Sequence, residues 1–166
     1  MANVEEQQPA VEPPRGMYPG RVDDKGRVKL PTAFQQYFSD LTDKLGEKKL
    51  FVASLDRRIA QIYTLNVWRH NENFFDSYTG DPEVVENVRF NAQDLGAEAE
   101  MDVQGRITLA PELRRELGIE NQPVRVVFVG PGRVDIYSEA VYAEMREKAA
   151  RKAKDDVNRL KMVGLK

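Results

Sequence analysis

The chain has 166 residues, enough for one compact domain or for two small ones sharing a core. It holds no cysteine and a single histidine, His70, which excludes disulfides, a thiol nucleophile, cysteine zinc sites and multi-histidine metal sites. The formal net charge of −2 does not advertise nucleic-acid binding, but the average hides a strong segregation.

Residues 1–14 carry Pro9, Pro13 and Pro14 and little apolar content, and read as a disordered tail. Their acidic, proline-bearing start is unlike a secretory signal, and no apolar run approaches a membrane span, so a soluble cytoplasmic protein is expected. Tyr18, Gly20 and Val22 alternate into Asp23-Asp24-Lys25-Gly26-Arg27, and Val28 and Leu30 continue the alternation beyond it. This predicts two strands joined by a tight turn, where Gly26 supplies a positive φ cheaply. Residues 15–29 place Arg15, Arg21, Lys25, Arg27 and Lys29 against Asp23 and Asp24 alone. Pro31-Thr32 opens a short helix with Phe34, Tyr37 and Phe38 on one face. Leu50–Ala53 and Ile59–Tyr63 read as paired strands around an Asp56-Arg57-Arg58 loop, and Thr64 as the cap of a helix holding Val67 and Trp68.

Asp81-Pro82-Glu83 starts a linking helix, expected within residues 79–95. Residues 70–100 hold eight carboxylates against Arg89 alone. Ala97 to Met101 alternates into Asp102-Val103-Gln104-Gly105-Arg106, and Ala110-Pro111 to Gly118 reads as a helix started by proline and ended by glycine. Val124–Val129 and Arg133–Tyr137 predict a hairpin around Gly130-Pro131-Gly132. Ser138 caps a final helix that runs through Ala149 towards Arg159, within a segment from Arg146 on that carries eight basic side chains against three acidic ones.

The chain therefore says one thing twice. D-x-x-G-R, an alternating β-rich run and a short helix occur at Asp23 and again at Asp102. Ile62-Tyr63 to Trp68 is likewise echoed by Ile136-Tyr137 to Tyr142, at a slightly shorter spacing that one loop-length difference explains. Each half is too small for a comfortable core, so the two are expected to share one around a pseudo-twofold axis, a symmetry that suits duplex DNA. In the motif, Gly26 and Gly105 let the chain reverse, while Asp23 and Asp102 accept from turn amides or hold the arginine fork. Arg27 and Arg106 then sit on a rigid strand. Two readings stay open for them: an intramolecular turn clasp, or presentation to nucleic acid, where arginine reads guanine bidentately. The two are compatible, since an aspartate that orients an arginine also pre-organises it.

Arg15-Gly16, Tyr18, Asp23 to Arg27, Asp102, Gln104 to Ile107, Pro111 to Arg114 and Trp68 carry a family likeness. Over about residues 15–145 the chain resembles the MraZ family, the duplicated members of the AbrB/SpoVT-like swapped-hairpin superfamily. The resemblance implies an α+β, mainly β fold: two tandem AbrB-like β-hairpin/helix repeats forming one pseudo-twofold, barrel-like domain. The repeats would span residues 15–78 and 96–145, joined by the linking helix and followed by a basic helix or tail over 146–166. It implies a sequence-specific DNA-binding transcriptional regulator, nucleoid-associated, that binds short direct repeats upstream of the division and cell-wall gene cluster as a ring-shaped homo-oligomer. By motif position Arg27 and Arg106 would contact DNA with Asp23 and Asp102 as partners, and their charge adds Lys25 and Lys29 as phosphate contacts.

Departures from the family pattern are Pro19, which cannot donate to a ladder and predicts a short or edge strand, Ala110 for proline, and Gln104 in place of the first motif's lysine. Trp68 and Tyr142 are expected as core or interface packing and His70 at the surface or an interface. Glu98, Glu100 and Asp102 are expected on a polar strand face rather than as paired acids. No nucleophile–base set, metal cluster or phosphate loop is legible, so no enzyme, cofactor or metal is expected. An antitoxin-like protein-interaction module of the same superfamily is the alternative.

Overall fold

A computed structural model describes residues 11–166. The elements in chain order are β1 (Met17–Arg21), β2 (Arg27–Lys29), α1 (Thr32–Leu45), β3 (Leu50–Ala53), β4 (Ala60–Thr64), α2 (Leu65–Ser77) and α3 (Pro82–Leu95). The same series then returns as β5 (Ala97–Ala99), β6 (Arg106–Thr108), α4 (Pro111–Leu117), β7 (Pro123–Gly130), β8 (Arg133–Ser138) and α5 (Glu139–Ala150), with α6 (Ala153–Lys161) appended. The fold is α+β, with all strand pairs antiparallel.

The hairpin expected from β1 to β2 does not form a ladder. The two strands touch through one bridge, Val22 to Val28. β1 pairs instead with β7, and its counterpart β5 with β3, so each half lends its first strand to the other. β2 pairs with β6 in a separate two-stranded ribbon. The larger sheet runs β1-β7-β8-β4-β3-β5, an order that reads the same from either end once equivalent strands are exchanged. The registers obey the same twofold. Gly20 opposite Val124 matches Ala99 opposite Leu50, and the axis falls at Val28–Ile107 in the ribbon and Gln61–Asp135 in the sheet. This ladder is open, with β1 and β5 at its edges, and Pro19 accordingly sits on an edge strand where its missing N–H costs least.

The reason for the exchange is burial. Val22, Val28, Leu30 and Phe34 of the first half and Ile107, Leu109, Leu113 and Val124 of the second occupy one continuous core, all at most 1 % exposed. Each half alone would leave these side chains half covered. A smaller cluster of Ala53, Tyr63, Trp68 and Ala92 lies under α2 and α3, with Phe51 and Phe75 against it. Trp68 is therefore core. Tyr142, its positional equivalent, is only partly buried and carries the Arg125 guanidinium over its ring at 4.2 Å, because the second half has no counterpart of α3 to cover it.

Local signals act as read in most places. The Thr64 hydroxyl accepts from the Val67 amide at 3.4 Å and the Ser138 hydroxyl from Val141 at 3.2 Å, and Gly46 and Gly118 end α1 and α4 in the left-handed region. The final helix is broken rather than continuous: α5 ends at Ala150 and α6 restarts at Ala153. The expected 1–14 tail lies mostly outside the described residues. Its last part is irregular but anchored, with Val11 against the core and Pro14 buried.

A shared core makes a stability prediction. Ile107→Ala, in the second half, should cost about 2–4 kcal/mol. The loss should appear in the urea transition followed by fluorescence of Trp68, the sole tryptophan and a first-half residue. A Trp68 transition that stays in place while circular dichroism shifts would show two independent units.

Candidate nucleic-acid interface

Both motifs fold into the same clasp. Asp23 Oδ1 accepts from the amides of Lys25 at 2.9 Å and Arg27 at 2.8 Å, while Oδ2 accepts from Arg27 Nε at 2.8 Å. Asp102 repeats this with Gln104 at 2.9 Å, the Arg106 amide at 2.9 Å and Arg106 Nε at 2.8 Å. The turn closes through Gly26 N–H to the Asp23 carbonyl and Gly105 N–H to the Asp102 carbonyl, both at 3.0 Å. Gly26 and Gly105 hold φ of 78° and 76°, a conformation that would strain any side-chain-bearing residue. The clasp reading is thus realised twice.

The two turns also lock onto each other. The Leu30 amide donates to the Gly105 carbonyl at 2.9 Å, and the Leu109 amide to the Gly26 carbonyl at 2.8 Å. Two further residues, which the motif did not reveal, brace the junction. Gln35 Nε2 donates to the Leu30 carbonyl at 2.7 Å and lies where a Cβ on Gly105 would fall. Its counterpart Arg114 donates from Nη1 to the Leu109 carbonyl at 3.1 Å and covers Gly26 in the same way. Each is the fourth residue of its helix, α1 or α4, but nothing in the sequence said that they reach into the opposite turn. Arg114 Nε is 3.5 Å from Glu120 Oε1 with poor hydrogen-bond geometry, so this contact is electrostatic only.

The ribbon of β2 and β6 turns Val28 and Ile107 inward at zero exposure. By alternation the other face carries Arg27 opposite Thr108 and Lys29 opposite Arg106. Arg27 and Arg106 are about a quarter exposed, at 25 % and 28 % of their side chains. Each spends Nε on its aspartate. Their Nη groups have no hydrogen-bond partner among the described residues. A guanidinium fixed by Nε with its two Nη groups unused is a pre-aimed donor pair, suited to the acceptors of a phosphate or a guanine edge. Lys25 and Lys29 are exposed beside it in the first half, whereas Gln104 and Thr108 stand at the equivalent places in the second.

The Arg27 amide, foremost, and then its guanidinium and the Lys25 amide hold the Asp23 carboxyl below its ordinary value, against the opposing effect of partial burial. Asp102 is lowered for the same reasons by Arg106 and Gln104.

Other candidates are engaged elsewhere. Arg57, at φ 62°, donates to Glu116 at 2.7 Å, Asn91 at 3.0 Å and Asp94 at 2.8 Å, tying its loop to α3 and α4. Arg58 pairs with Glu144 at 2.5 Å. His70 and Glu100 are exposed, and Glu98 pairs with Lys49 at 3.5 Å. No helix of the described residues is long and apolar enough to cross a membrane.

Known proteins resemble this chain in sequence. No protein-family model matches the chain. It is 30 % identical over 151 residues to the transcriptional regulator MraZ of Acetivibrio thermocellus, covering 90 % of this chain and 98 % of that one. The chain belongs to the MraZ family. The MraZ of Caldanaerobacter subterraneus is 32 % identical over 133 residues, 78 % of this chain and 83 % of its own. That of Acidobacterium capsulatum is 33 % identical over 102 residues, 61 % and 66 % respectively. All three relatives of this MraZ-family chain are named as transcriptional regulators and none as an enzyme.

The lowered carboxyls set a pH dependence. A group with a depressed folded-state value stabilises fully above its unfolded value, about 3.9, and loses that contribution as pH falls through the lower one. Two-dimensional NMR of the Arg27 and Arg106 Nε–H signals should therefore show both clasps intact from neutrality down to about pH 4, and opening only below it. Opening at pH 5–6 would contradict the clasp.

Proposed function

We propose that this MraZ-family protein is a transcriptional regulator that binds double-stranded DNA through the outer face of the β2–β6 ribbon. The observation that carries this reading is the pair of arginine forks, Arg27 and Arg106, clasped alike by Asp23 and Asp102 on one twofold ribbon. A two-stranded ribbon fits the major groove, where arginine reads guanine O6 and N7. Lys25 and Lys29 add phosphate contacts, which fix register and carry the salt dependence. The first half grips more strongly than the second, whose equivalent positions are Gln104 and Thr108.

The target is the set of short direct repeats upstream of the division and cell-wall gene cluster, engaged by a ring-shaped homo-oligomer of a cytoplasmic, nucleoid-associated protein. This finer reading comes from the family resemblance. A ring meeting successive repeats gains through effective concentration, so one weak contact per subunit suffices.

Fluorescence anisotropy on the DNA upstream of the gene, against scrambled duplex and across a salt series, tests the reading. Preferential, salt-sensitive binding is expected. Arg27→Ala and Arg106→Ala together should weaken it and flatten the preference, by about 1–3 kcal/mol for each arginine that reads a base. Lys25→Ala should weaken all duplexes alike and reduce the salt slope by about 1. A well-folded protein with no preference would point to the antitoxin-like role instead, and a double variant that binds unchanged would show that these two arginines do not carry the contact.

A further inference from the structure

Two surfaces of this chain are left uncovered and are opposite in charge. The first is a groove of about 540 Å³ between α2 and α3. Its floor is apolar, with Phe51, Leu65, Trp68 and Phe75, and its rim carries Glu72 and, paired with Lys49 at 3.5 Å, Glu98. The two cations beside it, Arg69 and Arg89, are held by Glu47 and Asp76. Along the same helices Phe74 and Phe90 are 54 % and 66 % exposed, within the stretch that holds eight carboxylates against Arg89.

The second surface is α6 and the residues after it. This nine-residue helix buries no side chain against the rest of the chain. A helix so short is not stable in water by itself. Val157 and Leu160 lie on one face, and the chain folds back so that the amides of Val163 and Leu165 both donate to the Leu160 carbonyl, at 3.1 and 2.9 Å. These apolar residues are all exposed, among Lys152, Lys154, Arg159, Lys161 and Lys166, against which only Asp155 and Asp156 stand. A phosphate backbone would satisfy the cations but offer nothing to Leu160 and Val163. An apolar groove with an acidic rim satisfies both.

We propose that α6 of one copy docks in the α2–α3 groove of a second copy, Leu160 and Val163 on the aromatic floor and the basic side chains at the acidic rim. The contact is heterologous, using different surfaces on the two chains, so it repeats from copy to copy until the rotation closes. It rests on the self-assembly part of the function proposed above and is independent of the DNA contact.

The test is the mass of the full chain in solution, by analytical ultracentrifugation, with a cross-link as a second readout. L160E with V163E, and separately E72K, should shift the oligomer at least about tenfold towards single chains, and high salt should do the same more weakly. Because the chain has no cysteine, Glu72→Cys chains mixed with Val163→Cys chains should give an oxidised heterodimer that neither variant gives alone. A wild-type chain that is monomeric at all concentrations overturns both this docking and the self-assembly reading. An oligomer that none of these variants disturbs, with no mixed disulfide, overturns the docking alone. So does an intact oligomer in which L160E with V163E weakens duplex binding, which would make α6 a grip on DNA.

Discussion

The exchange of first strands between the halves is the constraint on which the rest depends. Leu30 and Leu109 each bond to the glycine carbonyl of the opposite turn, so neither turn is complete without the other half. The same exchange joins β1 to β7 and β5 to β3 and places Val28 against Ile107 on the axis. One core results, and a ribbon too short to persist alone becomes the roof of a sheet-backed domain. The two arginines inherit their relative position from that ribbon rather than from any flexible loop.

Symmetry in the backbone is combined with asymmetry in the side chains. The clasps agree to within about 0.1 Å in every bond, while Lys25 and Lys29 have Gln104 and Thr108 as their equivalents in the second half. Geometry is thus common to both halves and charge is concentrated in one. The insertion of α3 breaks the symmetry again, covering Trp68 in the first half and leaving Tyr142 half open in the second. It also forms one wall of the groove whose acidic rim, Glu72 and Glu98, comes from α2 and β5.

Much of this was legible because the relevant signals are local. The glycines of the turns, the caps at Thr64 and Ser138, Pro111 and Gly118 at the ends of α4, and the two β-hairpins after the short helices all follow from a few adjacent residues. The clasp was legible as one of two compatible roles for D-x-x-G-R. Strand partnership was not, because period-2 alternation says which face is buried and nothing about which strand lies alongside. A tight turn between two alternating runs reads locally as a hairpin, and only the need of two small halves for one core redirects the pairing. Gln35 and Arg114 escaped for the same reason: they bond to Leu30 and Leu109 in their own halves, but the glycines they cover, Gly105 and Gly26, lie in the other. The break at Arg151-Lys152 carries no proline or glycine to announce it.

The central claim is that the aspartates matter because they aim the arginines. Asp23→Asn with Asp102→Asn isolates it, since it makes the chain more positive while releasing both forks. Duplex affinity of that variant, with its fold checked by circular dichroism, should fall by about 5- to 150-fold, reflecting roughly 0.5–1.5 kcal/mol of ordering restored to each arginine. Unchanged or tighter binding would mean that charge alone holds the DNA and that the clasp is only a turn.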